Sequence, residues 1–308
     1  MEKNGNQFGY YDQGTVDIRY PDTEINKPFR GIFDGGNNKI EGIKITSSNE
    51  ICHGLFGLVI DGTIRNIIIS ENNEISGNGR TAGVVGYLYG FKGNISNCEN
   101  YANIIGGNTT AGIVGSIVGQ HKVYNCKNYG EITGLGGIVG GCNGYDYPEE
   151  FKEYSHKIIN CGNYGIVKLD GDYMVGGIVG YLKGSILNCC NKGTVTGENS
   201  VGGIVGSIDG NVENCYNVGD ISGGIAGGIL NPSQTIGVSI MNCYSIGTIS
   251  ATTSRKGDIA GAWNSERDKM INCYTSKDVF TATDLGSTFK DYINQSYPLL
   301  YWELEEES

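Results

Sequence analysis

Ten cysteines, three histidines and 33 acidic residues are the groups in this chain whose types could do chemistry. A thiolate is a nucleophile and a metal ligand, and imidazole is a base and a ligand. Their spacing speaks against both uses. No Cys-x-x-Cys and no His-Glu-x-x-His occurs, and His53, His121 and His156 each stand alone in their local sequence. No metal, no cofactor and no nucleophile-base pair is therefore expected. A glycosidase or polysaccharide lyase would need carboxylates converging in a cleft. Asp170 and Asp172 alternate in Leu169-Asp170-Gly171-Asp172, but a turn between strands explains them better. Asp61, Asp209 and Asp220 look like turn residues too. No catalytic residue is assigned.

The elements that carry these groups follow from a repeat. Asn-Cys recurs at Asn97-Cys98, Asn125-Cys126, Asn160-Cys161, Asn188-Cys189, Asn214-Cys215, Asn242-Cys243 and Asn272-Cys273. Successive Cys numbers differ by 28, 35, 28, 26, 28 and 30, and Asn66-Ile67 fits one step earlier with Ile in the Cys place. A Gly-Ile-Val-Gly-like segment precedes each pair, as at 112–115, 137–140, 177–180 and 203–206. A segment like Gly193-Thr194-Val195-Thr196-Gly197 follows it. Each apolar segment is too short for a helix and rich in Ile and Val. Gly and Asn between them supply the bends. Such a segment cannot bury its apolar side alone, whereas stacked repeats share one core. The expectation is an all-β, right-handed parallel β-helix of about nine three-strand coils, the hand following from the usual parallel crossover.

Columns of this repeat say which side chains point inward. Three places before the Cys stand Ile64, Ile95, Val123, Ile158, Ile186, Val212, Ile240 and Met270, all apolar and so expected in the core. Six places after it stand Ile104, Ile132, Val167, Val195, Ile221 and Ile249, also core. A corner at the Asn resets the strand alternation and turns the Cys inward, where Ile67 can replace it. A small buried hydrophobe behaves in this way, so the Cys column is expected to hold inert thiols. Disulfides between neighbours would strain a stack spaced at about 4.8 Å. Cys52, Cys142 and Cys190 lie off the column and are the better candidates for pairing or reaction, with Cys190 expected to face outward. Asn100, Asn128, Asn163, Asn191 and Asn217, two places after the Cys, are expected to hydrogen-bond up and down the rod as an amide ladder.

These elements resemble the GLUG repeat of bacterial surface proteins. The likeness rests on Gly176-Gly177-Ile178-Val179-Gly180, Ser185-Ile186-Leu187-Asn188-Cys189 and Gly193-Thr194-Val195-Thr196-Gly197. Phe29-Arg30-Gly31-Ile32-Phe33-Asp34-Gly35-Gly36 resembles the segment that opens such arrays, and Tyr297-Pro298-Leu299-Leu300-Tyr301-Trp302 the one that closes them. The resemblance spans about residues 29 to 302. That family occurs in secreted or wall-attached bacterial proteins, among them adhesin-like chains and IgA-cleaving metallopeptidases. It implies a cell-surface role and imports no peptidase, since the His-Glu-x-x-His motif is missing.

Composition narrows the partners. The formal net charge is -11, which repels nucleic-acid phosphates and anionic lipid heads. No run of about 18 apolar residues offers a membrane span. Residues 1–28 are expected to cap the first coil, 29–276 to form the β-helix, and 277–308 to form a C-terminal cap and tail. Within the last part, residues 283–293 have some helical spacing and are expected to lid the last coil. Residues 141–154 are surplus to the repeat, and loops on rigid scaffolds often bind. Tyr145, Asp146, Tyr147, Glu149, Glu150 and Tyr154 are the ligand-binding candidates there. A further irregular segment, 255–269, sets an exposed-looking Trp263 among charges. The function expected is a non-catalytic surface module, an adhesin, ligand-binding stalk or spacer. It would act as a monomer on a host or neighbouring-cell glycan or protein, and the alternative is a β-helix polysaccharide lyase or glycosidase. Ice binding would want a regular outer Thr column, and Thr133, Thr196 and Ser222 beside Lys168 give a ragged one.

Overall fold

The computed structural model describes residues 27–47, 52–107, 109–142, 155–232, 237–276, 282–285, 288–290 and 297–304. Parallel strands stack turn upon turn into a β-solenoid. One side of the solenoid is a single sheet of eight short strands running from Lys44–Ser47 to Ile249–Ala251, so the described residues form about eight turns, close to the nine expected. At about 4.8 Å per turn the stack is roughly 38 Å long. The columns are in register. Ile45, Ile75, Ile104, Ile132, Val167, Val195, Ile221 and Ile249 pair in succession and all are buried. A second side carries longer strands such as Val179–Leu187 on Val205–Glu213. The third is narrow, as in Met174–Gly176 on Ser200–Gly202.

The corner before each Cys has a conformational cause. Asn66, Asn97, Asn125, Asn160, Asn188, Asn214, Asn242 and Asn272 all have φ between 50° and 57°, the left-handed region. That region costs most L-residues about 1–2 kcal/mol, and Asn visits it more readily. The turn it makes delivers Cys98, Cys126, Cys161, Cys189, Cys215 and Cys243 into the core. Ile64 through Ile240 in the column three places before are buried as well. Met270 departs from its column and is 40% exposed, with Ile271 beside it at 46%. They lie in Lys269–Thr275, the last strand of its row, and no described strand stacks beyond it.

Two amide ladders run along the rod in opposite senses. Inside, the Nδ2 of Asn100 donates to Oδ1 of Asn128, and the pattern continues through Asn163 and Asn191 to Asn217 at 2.7–2.8 Å. It ends on the hydroxyl of Ser245 at 3.3 Å. Each of these amides also donates to the carbonyl two residues on, as Asn163 does to Gly165 at 2.8 Å. Outside, the corner asparagines donate back toward the first turn, from Asn272 stepwise to Asn66, at 3.0–3.1 Å. The last donor, Asn66 Nδ2, meets the carboxylate of Asp34 at 2.8 Å. That bond first, and the Gly36 N–H next, hold the Asp34 carboxyl below its usual range.

The C-terminal segment, where it is described, lies along the flank and corrects one expectation, the outward placement of Cys190. Leu285, Phe289, Leu299 and Leu300 pack with Cys190, Tyr216 and Tyr244 as a second apolar cluster on the outer flank. Trp302 Nε1 donates to the Asn188 carbonyl at 2.9 Å, and Tyr244 hydroxyl donates to the Pro298 carbonyl. Glu303 accepts from the Tyr216 hydroxyl at 2.8 Å and pairs with Lys192 at 2.8 Å. Cys190 does leave the main core, as a strand neighbour of Cys189 must. It ends fully buried under this strap rather than in solvent.

Candidate functional site

All ten cysteines are free thiols. Burial raises the pKa of Cys126, Cys161 and Cys189, and pushes Cys52 and Cys142 up to about 12. A thiol held protonated in this way is a poor nucleophile. The column has a hydrogen-bonding role instead. Cys161, Cys189 and Cys215 each direct Sγ at the carbonyl two residues back, at 3.2 Å. The N–H of Cys161 donates to Cys189 Sγ, and that of Cys189 to Cys215 Sγ, both at 3.4 Å.

The histidines are brought closer than the sequence suggested, but not toward solvent. His121 and His156 stack in successive turns with ring centroids 6.0 Å apart, and both are buried. His121 Nδ1 and Nε2 each lie 2.9 Å from a backbone carbonyl oxygen, of Gly93 and Val118. Burial lowers the pKa of both rings, that of His156 to about 3. Among the described residues no three His, Cys, Asp or Glu gather to hold a metal ion.

The carboxylates weighed from sequence serve as struts between turns. Asp61 has φ 54° and its Oδ1 accepts from the N–H groups of Phe91 and Lys92 at 2.7 and 3.0 Å. Asp220 accepts from Thr248 N–H at 2.9 Å, and Asp209 from the Tyr181 hydroxyl at 3.0 Å. Asp172 accepts from the Asn199 amide, and Gly171 between Asp170 and Asp172 has φ 112°, as a turn requires.

A row of aromatic rings, Tyr101, Tyr129 and Tyr164, stacks along the flank at 4.5 and 4.8 Å. Sugar stacking needs a ring face, and both faces of Tyr129, in the middle of the row, are covered by its neighbours. Tyr145, Asp146, Tyr147, Glu149, Glu150 and Tyr154 lie outside the described residues, as does most of the expected N-terminal cap.

An open groove of about 440 Å³ lies on the last turn. It is lined by Arg255, Lys256, Trp263, Asn264 and Arg267 over a floor of Gly261 and Ala262. Sites for small ligands run from about 300 to 1,000 Å³. Two chain segments meet there. Lys256–Gly257 is the last short strand of the narrow side and sets Arg255 and Lys256 at its lip. A tight turn from Asn264 to Asp268 supplies the opposite wall. The Asp268 side chain, wholly buried, holds this turn by accepting from Asn264 N–H at 3.0 Å, Val238 N–H at 3.3 Å and Arg267 Nε at 3.1 Å. Burial raises its pKa, and these donors outweigh that and leave it lowered. Trp263 is half-buried against the main core rather than fully exposed, so its indole is fixed in place. No acidic side chain lines the groove, and Arg255 and Lys256 have no ion-pair partner among the described residues. Trp263 among charges marked this segment in the sequence. What the sequence did not show was that Arg255 and Lys256 face Arg267 across one concavity.

Fold and groove together define a β-solenoid with a buried apolar core and a cationic concavity on the last turn. Residues 197–222, one full turn, match the family model for the GLUG motif. The other turns repeat its columns, so the chain is a GLUG-repeat protein. No curated protein and no solved structure matches it.

Proposed function

We propose that this chain is a non-catalytic binding module of a bacterial cell surface, a rigid stalk that presents ligand contacts to a host or neighbouring-cell glycan or protein. The observation that carries this reading is the groove around Trp263, set on a scaffold whose candidate carboxylates and thiols are engaged in holding turns together. A stack of in-register columns resists bending, so a contact at the last turn keeps its position relative to the rest of the rod. The segment 143–154, with Tyr145, Asp146, Tyr147, Glu149, Glu150 and Tyr154, is the other contact surface in this reading. A secreted or wall-attached location follows from the role, and the module acts as a monomer. Purified protein on a glycan array, with the eluted glycans analysed by mass, tests the reading. Retention of intact glycans is the expected result. New reducing or unsaturated ends would replace it with a lyase or glycosidase, and no retention on glycans or on cell-surface protein fractions would end it.

A further inference from the structure

We propose that the groove of the last turn binds the carboxylated sugar units of an acidic saccharide. The inference rests on the binding-module reading above and names the ligand class of that module. The argument begins with charge. The chain carries a formal net charge of -11, yet this concavity is lined by Arg255 and Lys256, without ion-pair partners among the described residues, and by Arg267, whose charge is shared with the buried Asp268, and by no carboxylate. A local reversal of sign, on a surface that repels anions overall, favours a short anionic ligand over a long polyanion. A long nucleic acid would extend beyond the groove over a chain of net charge -11, and a single sugar chain end would not.

The second strand of the argument is shape. An indole wedged against the core offers a fixed apolar face, with Gly261 and Ala262 beside it in the lining. Aromatic faces of this kind engage the C–H face of a pyranose, while guanidinium groups pair with carboxylates in a planar fork. Asn264 and Ser254 supply amide and hydroxyl groups at the rim for sugar hydroxyls. About 440 Å³ holds one or two sugar rings and not a folded partner. The third strand is preorganisation. The buried Asp268 ties down the turn and the Arg267 Nε before any ligand arrives, so little ordering remains to oppose binding.

The probe is trigalacturonate, measured by titration calorimetry against the full chain, with trigalactose, inorganic phosphate and a triglutamate peptide as comparisons. Trigalacturonate should bind, and the other three should bind about 10-fold or more weakly. The Arg255→Gln/Lys256→Gln double variant changes only exposed side chains and should weaken binding by about 10-fold or more with an unchanged melting temperature. Trp263→Ala should do the same. Because it removes a core contact, its folding is checked by circular dichroism, and the double variant carries the decision if it unfolds. Equal binding of phosphate would reduce the groove to a simple anion site, and equal binding of the peptide would reassign it to protein partners. Either result overturns the proposal, as does binding that both variants leave intact. If the glycan array is positive only for neutral glycans, the module reading stands and this inference falls. An empty array and empty protein fractions remove the module reading itself.

Discussion

At the scale of single residues, the Asn-Cys pair does two jobs that most side chains cannot combine. The Asn accepts a left-handed φ and also offers an amide to the neighbouring turn. The two contributions can be separated at Asn160. Asn160→Gly keeps the backbone conformation and removes the ladder bonds to Asn125 and Asn188, which at this part-exposed site should cost about 1 kcal/mol. Asn160→Ala adds the left-handed penalty and should cost about 1–2 kcal/mol more. Urea melts of both variants test the ordering, and equal destabilisation would mean the corner is not strained. The Cys is chosen for more than size. The corner leaves the Cys161 N–H without a strand carbonyl, and Cys189 Sγ takes that role. Cys189→Ala should therefore lose packing and leave a buried N–H unpaired, costing about 2–4 kcal/mol in the same assay. The Ile in the first turn, Ile67, shows that the packing half of the role is separable.

At the scale of elements, the inner amide ladder explains the first glycine of each Gly-Ile-Val-Gly segment. A Cβ on Gly83 would stand 2.7 Å from Asn100 Oδ1 and 2.7 Å from the Gly112 carbonyl oxygen. The glycines are absent side chains that let the Asn column stand against the strand. The ladder is incomplete at Ser245, whose hydroxyl replaces the amide of every turn from Asn100 to Asn217. Ser245→Asn should accept from Asn217 at normal length and donate to the Gly247 carbonyl, as Asn217 does to Gly219. The expected gain is about 1 kcal/mol, read as a rise of about 2 °C in the melting temperature; a fall would show that the last turns lack room for the amide. Much of this was legible beforehand, because a fixed period converts into columns. The inward Ile and Val columns, the inward Cys and the inner Asn ladder all follow from counting residues. The outer ladder did not, since its sense depends on which way each amide points, and composition carries no such sign. The strap from Leu299 to Leu304 was not located from the sequence for a different reason: it has no period, so only packing against Tyr216 and Tyr244 locates it. The groove combined both difficulties, with its cations separated in sequence and joined by a turn that Asp268 closes.

At the scale of the whole molecule, the shared core makes stability a property of pH through groups far from any surface. A neutral His156 is fixed by burial, with a pKa near 3 in the folded chain against about 6.5 unfolded. Below pH 6.5 the unfolded chain takes up a proton that the folded chain refuses, so acid favours unfolding. The contribution of His156 is complete above pH 6.5 and declines as pH falls toward 3, by about 1.4 kcal/mol per unit. His121 acts in the same direction, and its stacked position makes charging both rings together still less favourable. The lowered carboxyls of Asp34 and Asp268 also destabilise on acidification, but only below the ordinary carboxylate range, under about pH 4. Relief of the net charge of -11 works the other way, because protonation reduces repulsion across the compact state. The opposing terms are separated by subtraction. Urea unfolding at pH 6.5 and 4.5 for the native chain and for His156→Gln leaves the charge term common to both. The native chain should lose about 2–3 kcal/mol more than the variant over that interval. An identical pH slope in the two would mean that His156 takes up its proton in the folded state, and the buried imidazole stack would then have to open to water well below the melting temperature.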